Sequence, residues 1–70
     1  MKYNLDNLER DMIQEFHWLM KEYHMSAVAA INYMDYNIFV KHSHWFNSLS
    51  EEDQWRVRTT IKAMELVHKS

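Results

Sequence analysis

The sequence predicts an all-α protein, a compact three-helix bundle forming a single domain over residues 1–70. Three observations predict it. Gly and Pro are both absent, whereas tight hairpins draw on Gly, Asn or Asp at positive φ and phosphate-cradling loops need Gly for close backbone approach. Apolar residues recur at three- and four-residue steps in three separate stretches, the period of a helix with one buried face. Finally, Ser26 and Ser50 stand where helix starts are needed, each with an oxygen able to accept from a free first-turn amide.

The first helix covers about residues 6–24. Leu5, Leu8, Met12, Phe16, Leu19 and Tyr23 fall on one stripe. Asn4 or Asp6 serves as N-cap, and Asp6 and Glu9 suit the positive end of the helix dipole. The opposite face carries Asp11, Glu15 and Glu22 with Trp18 among them, an unexpected place for tryptophan in a lone monomer. Ile13, His17, Met20 and His24 form a shoulder beside the main stripe.

After a break at His24-Met25, Ser26 caps a second helix over residues 26–46. Ala27, Ile31, Met34, Ile38 and Trp45 make one stripe, Val28, Phe39 and Phe46 a second, and Tyr33, Tyr36 and Val40 lie behind. A helix apolar on most sides is buried from more than one, so this one is expected at the centre. Its middle, residues 32–37, holds Asn32, Asp35 and Asn37, which compete for backbone hydrogen bonds. The helix therefore either runs through or breaks there into something like a helix-turn-helix.

Residues 47–50 read as a loop and 51–68 as the third helix. Ser50 caps it, Glu51, Glu52 and Asp53 crowd its positive end, and Asp53 stands where a capping box reaches back. A cap from Ser48 with Glu51 is the alternative. Val57, Ile61, Met64 and His68, flanked by Thr60 and Val67, form the core face, while Trp55, Thr59, Lys62 and Leu66 line the back. Lys69 suits the negative end.

The run Glu15-Phe16-His17-Trp18-Leu19-Met20, the break at Ser26, and then Ile31, Met34 and Tyr36 resemble the helical-hook segment of Sin-type regulators and their antagonists. The likeness spans less than half the chain, and no residue role is carried over from it.

A chain of 70 residues without cysteine has no disulfide and no thiolate metal site, and its single core yields only a few kcal/mol. The net charge of -2 gives no general affinity for nucleic acid. It is unevenly spread, however. Asp6, Glu9, Asp11, Glu15 and Glu22 face Lys2, Arg10 and Lys21 in the first part, while Arg56, Arg58, Lys62 and Lys69 face only Glu65 at the end. That asymmetry suits intramolecular docking or head-to-tail association. No apolar run approaches the ~18 residues of a membrane span, and the opening Met-Lys-Tyr-Asn-Leu-Asp lacks an apolar signal region. A soluble cytoplasmic protein that engages no membrane is expected.

Candidate chemistry is sparse. His42 and His44, two apart, point to nearly opposite sides of a helix, and His17 and His24 are separated by about 10 Å. Glu15-Phe16-His17 and Glu22-Tyr23-His24 match neither the Glu-x-x-His of bundle di-metal sites nor the His-Glu-x-x-His of zinc proteases. Without Cys or Gly, neither a thiol nucleophile nor a Gly-x-Ser-x-Gly elbow can form. No metal, cofactor or enzymatic activity is expected. A helix-turn-helix over residues 27–42, with Lys41, His42, His44, Arg56 and Arg58 nearby, would place Ile38, Phe39 and Val40 where base-reading polar side chains belong.

What remains is a surplus of side chains suited to contact. Ten aromatic residues (Trp 3, Tyr 4, Phe 3) and six Met exceed what a small three-helix core hides, and Trp and Tyr dominate binding hot spots. The expected function is a non-catalytic regulator that binds another protein, or itself, and inhibits or modulates it stoichiometrically, as a phage or mobile-element inhibitor or antirepressor-like adaptor does. Its partner-binding residues are expected to be Trp18, Asp11, Glu15 and Glu22 on the first helix and Trp55, Lys62 and Leu66 on the third. The competing expectations are a helix-turn-helix DNA-binding regulator and a homo-oligomeric structural subunit. In the plainest alternative, Trp18 and Trp55 merely cover seams between helices.

Overall fold

The structure is a computed structural model, described here for residues 3–68. All regular structure among these residues is helical: a 3-10 turn Leu5–Asn7, α1 Leu8–Glu22, α2 Ala27–Tyr36, a π-helical turn Asn37–Lys41, α3 Ser43–Ser48 and α4 Glu51–His68. Four α-helices thus stand where three are expected. Lys2 and Lys69, which contribute to the charge asymmetry, lie outside the described residues.

Asn4 opens the fold as expected, its side chain accepting from the Asp6 amide at 2.9 Å. Leu8, Met12, Phe16 and Leu19 are buried along α1, one per turn or nearly so, which is why this stretch folds as an amphipathic helix. The helix ends at Glu22, two residues before its expected limit. Tyr23 donates its amide to the Leu19 carbonyl at 3.2 Å, and His24 turns to φ 55°. That left-handed position normally falls to Gly after a helix, and a chain without Gly places a histidine there.

Ser26 caps α2 as expected, accepting from the Ala29 amide at 3.1 Å. The expected weak point near Asp35 stays helical, because Ala30, Ile31, Met34 and Ile38 are anchored in the core on both sides of it. The interruption comes later. The His42 amide reaches back five residues to the Asn37 carbonyl at 3.0 Å, and the chain breaks at His42 (φ -115°, ψ 37°). This wider turn and break reorient α3, so the expected roles of two residues change. Phe46 is buried, with Phe39 edge-on to it at 4.9 Å, while Trp45 is only half-buried and meets Tyr3 at 5.8 Å.

Leu49 is extended, and Ser50 caps α4 by accepting from the Asp53 amide at 3.1 Å. Gln54 Nε2 donates to the carbonyls of Phe46 and Leu49 at 3.2 and 3.3 Å, satisfying the end of α3. Asp53 does not return to the cap as a capping box would; its Oδ1 accepts from Arg56 Nη1 at 2.9 Å. Val57, Thr60, Ile61 and Met64 face the core, but Val67, expected beside them, is exposed. His68 is exposed too, although its ring stands 4.9 Å from that of Phe16.

Helices α1 and α4 run parallel. Near their starts Arg56 donates from Nε and Nη2 to both carboxylate oxygens of Glu9 (2.8 and 2.7 Å) and from Nη2 to the Leu5 carbonyl (2.9 Å); near their ends His68 meets Phe16. Helix α2 runs back between them. Its start shares a groove with Glu65 and His68, and the π turn shares one with Arg58 and Lys62. Tyr3 closes one end of the core.

Candidate protein-binding surfaces

The expected partner-binding residues occupy two separate faces. On α1, Trp18 is 46 % exposed, held edge-on by Tyr23 with ring centroids 5.0 Å apart. It borders an open groove of about 470 Å³ lined by Tyr3, Asp11, Gln14, Glu15 and Trp18. Tyr3, Gln14 and Tyr23 were not among the expected site residues. Gln14 and Tyr23 sit four and five residues from Trp18, but nothing in the local pattern shows that the segment before α1 folds back to bring Tyr3 there.

Glu15 is not the rim charge expected of it. It is only 7 % exposed, and its Oε1 accepts a hydrogen bond from the Tyr3 hydroxyl. A carboxylate is rarely so covered unless donors satisfy it. Tyr3 in turn has its hydroxyl pKa raised well above the usual tyrosine range, first by burial and then by the bond to Glu15 and its charge. It therefore stays a neutral donor. Asp11 accepts the Asn4 amide at 2.9 Å and lies 3.6 Å from Arg10, so it ties the N-terminal segment to α1 as well as lining the groove. Glu22 is exposed at the end of α1 and does not line the groove.

On α4, Trp55 is 64 % and Leu66 66 % exposed, with Lys62 exposed between them. Trp55, Thr59, Lys62 and Leu66 follow one another at steps of four, three and four residues, a single helix stripe about 16 Å long. Thr59 is turned to the backbone, its hydroxyl donating to the Trp55 carbonyl at 2.8 Å. Arg58, absent from the expected set, lies with its guanidinium 5.0 Å from the Phe46 ring centroid. It shares a groove of about 450 Å³ with Phe39, Ile61, Lys62 and Glu65.

No family model matches this chain, and no curated protein or solved structure is similar enough to match it. The likeness of the α1–α2 region to the helical hook of Sin-type regulators therefore gains no support beyond its spacings.

Among the described residues no three His, Asp or Glu side chains gather as a metal shell requires, and no helix is long and apolar enough to cross a membrane. Arg56, a phosphate-contact candidate in the helix-turn-helix reading, is engaged by Glu9, Asp53 and the Leu5 carbonyl.

Proposed function

We propose that this protein is a non-catalytic binding module that engages another protein through its exposed tryptophans and modulates that partner stoichiometrically. One observation supports this most. The core is filled by Leu8, Met12, Met34, Ile38 and Val57, all 0 % exposed, whereas Trp18 and Trp55 are 46 % and 64 % exposed. Large rings held at low entropic cost beside charged residues are the usual anchors of protein interfaces.

The helix-turn-helix alternative has weaker support. It needs two helices and a turn within residues 27–42, whereas α2 passes directly into the π-helical turn Asn37–Lys41 and the chain turns only at His42.

The test is affinity capture from the host, with each captured protein re-examined in purified form. Trp55→Ala should change stability by no more than about 0.5 kcal/mol, as surface substitutions do, and Trp18→Ala by about 1 kcal/mol, because it also loses the edge contact with Tyr23. At least one should weaken capture by about 30-fold or more. A loss of about 3 kcal/mol of stability would instead make that tryptophan a core residue.

A further inference from the structure

A third apolar surface adjoins the Trp55 stripe, with which it shares Thr59. Parallel α1 and α4 enclose an outward groove of about 450 Å³ whose walls include Glu9, Ile13 and His17 on one side and Thr59, Ala63 and Val67 on the other. Each wall is a row at four-residue steps, the ridge that packs most often into the same ridge of another helix. Ile13 is 41 % and Val67 70 % exposed, and Ala63 is exposed as well. Phe16 and Met64 form the floor.

The row on α1 is self-complementary. Ile13 is its centre, with Glu9 four residues before and His17 four residues after. Glu9 remains ionised, since Arg56 holds its carboxyl down to about 2, yet its side chain is still 48 % exposed. A two-fold axis through the middle of the groove would set each Glu9 against the His17 of the other copy. It would also run the paired helices antiparallel across the interface, each positive end near a negative one. Ala63, also at mid-groove, is small enough to let two backbones approach.

From this arrangement we infer that the α1/α4 groove is the interface of a two-fold homodimer, its occupant the same groove of a second copy. A standard interface takes about 800 Å² from each partner, roughly a sixth of the 4842 Å² surface of one chain. Two helix faces can supply that. Isologous pairing is also the commonest closed symmetry.

The absence of Cys in this chain makes the test direct. Ala63→Cys, near the axis, should form a disulfide with its own copy under mild oxidation, because the two Cα atoms come within about 7 Å. Val40→Cys, exposed on the π-helical turn and not part of this groove, should cross-link at least tenfold more slowly. Sedimentation equilibrium should give a mass that rises with concentration and stops at two chains. Ala63→Arg should keep the circular dichroism of the parent and remain monomeric, and His17→Glu should weaken the dimer about tenfold by opposing Glu9. A monomeric mass at every concentration overturns the inference. So does growth beyond two chains, or equal cross-linking from residues 40 and 63.

Discussion

Removing the Tyr3 hydroxyl tests the least expected feature of the structure, the carboxylate of Glu15 covered within the wall of the Trp18 groove. Tyr3→Phe keeps the ring and its edge contact with Trp45 but deletes a donor to Glu15 Oε1. Hydrogen bonds to charged groups contribute about 1.5–3 kcal/mol. The open side of the groove admits water as a partial replacement, so the lower half of that range, about 2 kcal/mol, is expected. For a chain this short, each kcal/mol shifts Tm by about 4–8 °C, so the variant should melt roughly 10 °C lower. The pH dependence supplies a second readout. Tyr3 is harder to ionise folded than unfolded, so its contribution is intact below the ordinary tyrosine pKa of about 10 and is lost as pH rises above it. Urea titrations should show the parent losing stability on that alkaline limb and Tyr3→Phe losing less. A penalty under about 0.5 kcal/mol, with the same alkaline limb in both proteins, would mean that Glu15 does not depend on Tyr3.

Three more outcomes are expected. Glu9→Gln should cost about 1 kcal/mol at neutral pH, a figure kept small because the ion pair is solvent-screened; since Arg56 lowers the Glu9 pKa from 4.5 to about 2, the parent's advantage should be complete above that interval and vanish as pH falls through it. His24→Gly should stabilise by about 0.5 kcal/mol in urea denaturation, the relief of a left-handed backbone outweighing the extra freedom Gly gives the unfolded chain. Phe46→Ala should cost about 3–5 kcal/mol, and a cost near zero would show that α3 does not seal the core.

Much of the fold is legible in residue spacing, and the exceptions share a cause. Leu8, Met12, Phe16 and Leu19, like Val57, Ile61 and Met64, bury where a three- and four-residue rhythm places them, because each stripe is decided within its own helix. The caps at Asn4, Ser26 and Ser50 are local for the same reason. Glu15 defeats the rhythm because the group covering it, Tyr3, arrives from outside the helix. Helix α2 outlasts its Asn and Asp residues because tertiary anchors on each side outweigh local propensity. Val67 falls outside the core although its position flanks the buried stripe of α4. The exposed faces of Trp18, Trp55 and Leu66 follow from the same stripes read from behind, whereas the groove that Trp18 borders depends on which segments become neighbours.

The wide turn at Asn37–Lys41 has a consequence for chain length. A π turn holds about one residue more than an ordinary helical turn, so removing one residue there would leave an ordinary turn with Phe46 still facing the interior. The same deletion in the regular helix before it, Ala27–Tyr36, would rotate everything downstream by roughly 100°. The wide turn is thus the one stretch of this rod where the chain can lose a letter and keep its lid.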